Sequence, residues 1–559
     1  MQDVENLMGV LLRNRGIEGA EAKEKFLRPN YERDFYDPFL MHDMERACVR
    51  IFEAVEAKEL ITVYSDYDCD GIPGAVVLHD FFKQIGYENV HYYIPHRHDE
   101  GYGLHMEAIK GFIEDGTKLL ITIDLGITAV AETAEAQANG IDVIITDHHI
   151  PHEILPKAYA IVNPKLGSYP DSMLCGAGVV FKLVQGLIKK YGEYWKIKEG
   201  AEKWLLDMAG LATLSDMVPL VNENRAIAFF GIKVLQKSPR LGLRELFSAM
   251  KIEQRYLTEE DITFMVTPRL NAASRMDDPD RAFELLVTEK PAEAIALATH
   301  LTKINDTRKT LVAGIMKDVH ATLKDREECS VIVVGNPKWQ FGVLGLVAGK
   351  LTDHYGKPAF VWGQNGDSDI KGSCRSDGTI NVVELMTHIN TAFMGFGGHE
   401  LAGGFSVSRE EIHFLPERIE KAFHELTRST SSGQAKEKEE GIGDVKVDAK
   451  ISVDSVDADL WKVVEQFSPC GLGNPKPTFL FETIEISEAK LFGKEKNHLE
   501  LKFKNSRGKK ITAIAFFKTF DDFSIPIEIG NKINLIATLE FSRFAGKNEI
   551  RLRIVDILK

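Results

Sequence analysis

Short apolar runs alternate with longer mixed segments through the first half of the chain. The runs "LITV" (Leu60 to Val63), "LLITI" (Leu119 to Ile123) and "VIIT" (Val143 to Thr146) are rich in β-branched residues and carry no charge. Such composition suits strands buried on both faces. Segments with helical character separate them, Ala129 to Asn139 among others. The pattern over 51–235 therefore predicts repeated strand–helix units and a parallel sheet covered by helices. Residues 236–323 are rich in Ala, Leu, Glu and Lys at helical period and predict a helical connector. A second, smaller α/β pattern opens near "CSVIVVGNPKW" and fills 324–427.

The stretch 428–443, "RSTSSGQAKEKEEGIG", is small, polar and almost free of apolar side chains, which predicts an exposed linker. Beyond it, "TFLFETIEIS", "HLELKFK", "KKITAIAFF", "KINLIATLEF" and "EIRLRIVDI" are short strand-like runs broken by Gly, Asn and Asp turns. They predict a small all-β barrel or sandwich over 444–559. Residues 1–50 are expected to pack on the core. The expected fold class is thus multidomain α/β, two α/β units joined by helices, with a C-terminal all-β module.

Length and composition agree with several domains, since 559 residues with 44% hydrophobic content can form more than one core. No uncharged apolar run is long enough to span a bilayer, and the N-terminus lacks a small-residue cleavage pattern, so membrane insertion and secretion are not expected. Six cysteines without a CxxC pair argue against a zinc ribbon and fit a reducing cytoplasm. A net charge of −15 would by itself argue against a nucleic-acid partner. The segment from Lys490 to Lys518 reverses that reading, because nine Lys and Arg stand there against two Glu, a net charge of +7. Phe492, Phe503, Phe516, Phe517, Phe541 and Phe544 lie in or near it. Cations neutralise a phosphate backbone and exposed aromatic faces stack bases, the combination used to bind single strands on an OB-fold. Alternation in "HLELKFK" assigns most of these rings to the core.

The acids and histidines follow the apolar runs. Asp66, Asp68 and Asp70 alternate directly after the first strand, Asp124 follows the second, and Asp147, His148 and His149 follow the third. Asp216 lies in the apolar context "LATLSDMVPL". Ligands in open parallel sheets gather at the carboxyl ends of strands, so these residues are expected to converge. Carboxylates so close repel one another unless cations neutralise them; a solvated Asp-rich turn is the alternative. Oxygen and imidazole donors without thiolate suit Mn²⁺ or Mg²⁺. Two such ions, about 3.5 to 4 Å apart, activate water and stabilise a leaving oxygen in phosphoryl hydrolysis. Cys69, within the acidic loop, reads as a packing residue. Glycines in "GFGGHELAGGF", Gly395 to Phe405, would let backbone amides approach an anion closely; a tightly packed turn is the alternative.

Together "DYDCDG", "ITIDLGIT", "TDHH" and "LSDMVPL" resemble the metal motifs of the DHH phosphoesterase superfamily. Further motifs, "IPHRHDEGYGL", "CGAGVVFKL", "TPRLNAASRMDD", "GSCRS", "GGHELAGGF" and "FSPCGLGNPKPTF", occur in the order found in its RecJ-type branch of single-strand-specific 5′→3′ exonucleases. The similarity covers nearly the whole chain. It implies a DHH catalytic domain, a DHHA1 domain and an OB-fold, and an exonuclease that releases 5′-mononucleotides with two Mn²⁺ or Mg²⁺ ions per site. By the same resemblance Asp68, Asp70, Asp124, His148 and Asp216 are metal ligands, with Asp124 bridging and Asp66 in the same cluster. Asp147 would orient the loop and its neighbour, and His149 would face the scissile phosphate. Arg97 and Arg269 would approach substrate phosphates, with Asn271 and Arg275 as further candidates. Ser373 and Arg375 would hold the 5′ end, and His399 a phosphate or base. Ser274, Cys470 and Ala212 depart from the family pattern, and none is a metal ligand.

The resemblance implies a monomer acting in recombination and repair, on single-stranded DNA, beside a single-strand-binding protein and a helicase. One rival is a phosphodiesterase for short oligoribonucleotides or cyclic dinucleotides, which would not require the basic β module. A second is a DNA-binding scaffold that has lost catalysis, against which the complete acid and histidine set argues.

Overall fold

The computed structural model describes residues 2–324, 329–364, 370–430, 446–543 and 548–559. The first sheet contains β1 (Ile61–Ser65), β2 (Val90–Tyr93), β3 (Leu119–Ile123), β4 (Asp142–Thr146) and β5 (Ala160–Val162), in the order β2-β1-β3-β4-β5. Every pairing is parallel. All residues of β1 and β3 are buried, as their uncharged runs require. Alternate side chains feed two cores: Val63, Ile121 and Ile144 pack against the helices Gly71–Gln84 and Gly176–Tyr191, while Tyr64, Leu120 and Ile145 face Ile109 and Phe112. From β1 the chain moves to β2 on one side and then returns to β3 on the other. The crevice at the carboxyl ends of β1 and β3 is therefore a topological switch point.

Helices fill the connector, ending in the 34-residue helix Pro291–Lys324. Its Leu297, Ala298 and Leu301 belong to the first core, while Val312, Ile315 and Val319 belong to the core of the second α/β unit. That unit holds β6 (Ile332–Asn336), β7 (Ala359–Gly363), β8 (Ile370–Arg375), β9 (Gly395–His399) and β10 (Ala402–Val407) in the order β6-β7-β8-β10-β9. Only β6 and β7 pair in parallel. The glycine-rich segment Gly395 to Phe405 is a β-hairpin rather than an open anion-binding loop, with Gly403 opposite Gly398 and Gly404 opposite Gly397. Its backbone amides in β10 lie between two ladders, which leaves the edge strand β9 to face outward.

The helix Leu415–Thr430 absorbs the first three residues of the expected linker, and 431–443 lie outside the described residues. The C-terminal module orders its strands β11 (Ala449–Lys450), β12 (Thr478–Phe492), β13 (His498–Lys504), β14 (Lys510–Ala515), β15 (Lys532–Ser542) and β16 (Glu549–Leu558) as β11-β12-β13-β14-β16-β15. An additional β12–β15 pairing closes the barrel. β12 is longer than the apolar pattern implies. Register shifts after Phe481 and at Ile486 bend it, so one strand serves two partners.

The N-terminal segment divides its packing. Leu11 and Leu12 are buried in the core of the C-terminal barrel with Val453, Leu460 and Phe467, whereas Tyr31 and Phe35 pack on the first core. Asn14 Nδ2 donates to the Asp448 carbonyl at 2.9 Å. Arg225 fastens the first unit to the same barrel: its buried guanidinium donates to the carbonyls of Phe467, Ser468 and Pro469 at 3.1 to 3.2 Å and lies over the Phe26 ring. Among the described residues no helix is long and apolar enough to cross a membrane.

Candidate functional site

Four chain segments meet at the switch point. Asp66 follows β1, Asp124 follows β3, Asp147 to His149 follow β4, and Asp216 caps the C-terminus of the helix Leu206–Ser215. Asp68 Oδ1 accepts from the backbone N–H groups of Asp70 and Gly71 at 2.8 and 3.3 Å, which closes the acidic loop. The Asp70 carboxylate sits on the N-terminus of the helix Gly176–Tyr191, accepting from Gly176 N–H at 2.6 Å and Ala177 N–H at 2.7 Å. The positive end of the helix dipole thus meets an acid. Asp124 adopts a left-handed backbone, φ 62°, a conformation uncommon for residues with a side chain and one that aspartate tolerates better than most. Position 176 requires glycine, because a β-carbon there would fall 2.6 Å from Asp124 Cβ.

The donors form overlapping groups whose ligand atoms lie within 4.8 Å of one another: Asp66, Asp68 and Asp124; Asp70, His148 and Asp216; and Asp124, His148 and His149. His148 Nε2 stands 3.1 Å from Asp124 Oδ1, 3.7 Å from Asp70 Oδ2 and 3.8 Å from Asp216 Oδ2. Burial, then the charges of neighbouring aspartates, drives the carboxyls of Asp66 and Asp124 well above their ordinary range. The same causes push Asp70 up to about 6 and Asp216 to about 9. Asp66 Oδ1 and Asp124 Oδ1 are buried without a hydrogen-bond partner. Burial and the adjacent His149 push His148 down to about 3, which keeps its imidazole neutral. Crowded carboxylates, orphaned oxygens and a neutral imidazole fit hard divalent cations. Cys69 is buried and accepts from Ser215 Oγ at 3.3 Å, a packing position.

Asp147 is a hub. Its Oδ1 accepts from the backbone N–H of His148 (2.7 Å) and His149 (3.0 Å) and contacts His149 Nδ1 at 2.8 Å, while Oδ2 accepts from Ile127 N–H at 2.9 Å. Burial lowers the proton affinity of His149, but the hydrogen bond and charge of Asp147 outweigh it and the net shift is upward. Asn163 Nδ2 donates to the His149 carbonyl at 3.0 Å, and Lys165 Nζ donates to that of His148. His399, on β9 of the second unit, stacks parallel to His149 with ring centroids 6.3 Å apart. Tyr102, passed over within "IPHRHDEGYGL", donates to the Asp124 carbonyl at 3.3 Å and lies 3.4 Å from His149 Nδ1.

Arginines line the cleft beside these acids. The Arg97 guanidinium lies 4.9 Å over the Tyr67 ring, close enough to act on Asp66. Arg275 drops to about 9, through burial first and then crowding by Arg97 and Arg308; Arg375 adds to it and Asp68 opposes it. Ser373 and Arg375 come together across the helix Phe341–Tyr355, where a β-carbon on Gly345 would stand 3.2 Å from Arg375 Nη2 and 3.5 Å from Ser373 Oγ. Arg269 is set apart. Its Nη1 donates to the Met265 carbonyl at 2.7 Å, and its charged neighbours are Asp306, Arg308 and Lys309 on the connector helix. Asn271 Oδ1 is buried without a partner. Arg308 carries no sequence signal, since it sits in an ordinary-looking helical stretch.

On the barrel, part of the positive charge is neutralised. Lys502 and Lys510 pair with Glu488, just before the basic segment, and Lys490 with Glu500. Lys494, Lys496, Lys504, Arg507 and Lys509 have no ion pair among the described residues. Phe503 is buried, Phe516 lies under Arg553 at 4.1 Å, and Phe541 packs on Trp461. Phe517 is 79% exposed, and Phe544 lies outside the described residues.

Family models match in order along the chain: the DHH family N-terminal domain at residues 60–213, the DHHA1 domain at 328–431 and the RecJ OB domain at 447–556. A relative from Bacillus subtilis (strain 168), named single-stranded-DNA-specific exonuclease RecJ, is 34% identical over 98% of this chain and 67% of its own length. The crystal structure of RecJ from Thermus thermophilus in complex with Mn²⁺ superposes with a TM-score of 0.81 at 26% identity, over 99% of this chain and 76% of that one. Another solved structure, exonuclease RecJ bound to manganese, matches at 32% identity and a TM-score of 0.62, over 69% of this chain and 95% of that one. With its three domain models in sequence and similarity running almost end to end, the chain belongs to the RecJ family of the DHH superfamily.

Proposed function

We propose that the chain is a metal-dependent exonuclease that degrades single-stranded DNA from its 5′ end and releases 5′-mononucleotides. The observation that carries this reading is the pair of donor groups at the switch point, Asp66, Asp68 and Asp124 beside Asp70, His148 and Asp216, where His148 Nε2 lies 3.1 Å from Asp124 Oδ1. These residues would hold two Mn²⁺ or Mg²⁺ ions. When bound, such a pair supplies a hydroxide for in-line attack and stabilises the leaving oxygen.

The chain's own residues do the rest. Asp147 fixes His149 through the 2.8 Å contact at Nδ1 and raises its proton affinity, so the opposite nitrogen is placed to donate to a phosphate oxygen as charge develops. Arg97, Arg275, Ser373 and Arg375 would receive the 5′-terminal phosphate, since guanidiniums match phosphate oxygens in bidentate fashion. His399 closes the site from the second unit. The OB module, with its unpaired cations and the exposed Phe517, would hold the single strand. We place the protein in the cytoplasm, as a monomer in recombination and repair, beside a single-strand-binding protein and a helicase.

The test is hydrolysis with Mn²⁺ of three matched substrates, single-stranded DNA, blunt duplex DNA and single-stranded RNA, labelled internally and at the 3′ end, with Asp124→Ala as control. Mononucleotides from single-stranded DNA, the 3′ label released last and an inert control are expected. Activity confined to very short RNA would move the chain to a small-substrate phosphodiesterase, and binding without cleavage to a scaffold.

A further inference from the structure

The helices Leu206–Ser215 and Asn222–Leu235 form an antiparallel hairpin, packed so closely that a β-carbon on Gly231 would fall 2.6 Å from Gly210 Cα and 2.8 Å from the Leu206 carbonyl oxygen. Asp216, at the metal crevice, and Arg225, on the barrel, serve one end of the hairpin. The other end lies about 15 Å away along the ten-residue helix. It carries a groove of about 470 Å³, a volume within the usual range of ligand clefts. Its walls are aromatic: Tyr31 comes from the N-terminal segment, Trp204 from the turn Ala201–Leu205 and Phe230 from the second helix, and Val234 adds aliphatic surface. Trp204 is 56% exposed. Tryptophan is mostly covered in folded chains and is enriched where partner proteins bind most strongly.

The rim is cationic. Lys203 is engaged within the fold, paired with Glu32 at 3.0 Å and lying 4.3 Å over the Tyr31 ring. Lys233 and Lys237, four residues apart, have no ion pair among the described residues. Lys233 Nζ stands 3.8 Å over the Phe229 ring, and burial followed by the charge of Lys237 holds its proton affinity below the ordinary value. Like charges at this spacing oppose helix stability, so folding alone gives no reason for the pair. In a chain of 83 acidic against 68 Lys and Arg side chains, two uncompensated ammonium groups beside an aromatic groove are complementary to an acidic ligand. No arginine lines the groove, although its guanidinium is the group best matched to phosphate. The apolar walls call for a large side chain, and the rim for carboxylates.

We propose that this groove docks an acidic segment of a partner protein, with one aromatic side chain seated against Trp204 and Phe230 and flanking carboxylates on Lys233 and Lys237. The groove is remote from the metal crevice, so docking recruits the chain and leaves its site open. This goes beyond the exonuclease reading and does not depend on it.

The full chain labelled with 5-fluorotryptophan carries five fluorine reporters, and the resonance missing from Trp204→Phe identifies Trp204. The probe is the acetylated and amidated peptide Asp-Glu-Phe-Glu-Asp. It should move the Trp204 resonance saturably, with a Kd of about 1 mM or tighter, and leave the other four in place. Exchanging its Phe for Ala, or its acids for lysines, should weaken binding about tenfold or more. The double variant Lys233→Glu, Lys237→Glu should do the same while unfolding at the wild-type Tm. An unmoved Trp204 resonance at about 5 mM peptide would overturn the proposal. Equal shifts with the acidic and the lysine peptide would overturn it too, since the groove would then select no charge. Movement with an oligothymidylate and not with the peptide would assign the groove to a nucleic-acid strand instead. Movement with protein concentration alone would assign it to a second copy of the chain.

Discussion

Asp147 shows how much a single carboxylate arranges. It receives three backbone N–H groups from the loop and the Ile127 segment and keeps the His149 ring in one tautomer, yet it belongs to none of the three donor groups. Asp147→Asn keeps the shape and removes the charge that sustains the His149 proton. We expect kcat to fall about 100-fold with KM nearly unchanged, the scale found when the partner of a site histidine is lost, and steady-state kinetics on single-stranded DNA checks it. Gly176→Ala tests the site from the opposite side. Its new β-carbon meets Asp124 Cβ at 2.6 Å, against an aspartate already held at positive φ, so it cannot be accommodated without moving the ligand. The variant should retain its circular-dichroism spectrum while its Mn²⁺ requirement rises about tenfold or more, read from activity against metal concentration.

At the scale of elements, strand ends and helix starts converge where sheet order reverses, and Arg225 ties this assembly to the barrel. Arg225→Ala would leave several buried carbonyls without donors, a cost of about 3 kcal/mol or more. It should loosen the barrel first: proteolysis near Ser468 to Asn474 should accelerate and the KM for long single strands should rise, while cleavage of a dinucleotide continues. The strands, the site acids and the histidines are legible in the sequence because an uncharged run followed by Asp or His has few physical readings. The contact of Leu11 and Leu12 with the barrel is not, since nothing local in a helix specifies a partner that far along the chain. The Gly395 to Phe405 hairpin is ambiguous in the sequence because glycine suits both an anion loop and a crowded ladder.

Over the whole molecule, charge is segregated. A chain of net −15 concentrates buried acids at one crevice, arginines along the adjoining cleft and unpaired lysines on the barrel. Without divalent ions the acid cluster opposes folding, and the pH dependence follows from the direction of its shifts. Asp70, raised to about 6, and Asp216, raised to about 9, bind protons more tightly in the folded chain than at their ordinary value of 3.8. Between that value and the raised one the folded state carries the extra proton, so stability falls as pH rises through the interval. Divalent ions replace those protons as the neutralising charge. The gain in Tm on adding Mn²⁺ should therefore be larger near pH 8 than near pH 6: Asp70 is partly protonated at the lower value and ionised at the higher, and the proton on Asp216, held at both, is displaced at lower cost as pH rises. Asp216→Asn removes the later-titrating acid and should shrink the difference between the two pH values, although it also weakens the site. Thermal unfolding of the metal-stripped chain, with and without Mn²⁺ at both pH values, checks the expectation. A gain independent of pH would mean that the acids are already ionised and neutralised by other groups in the metal-free fold.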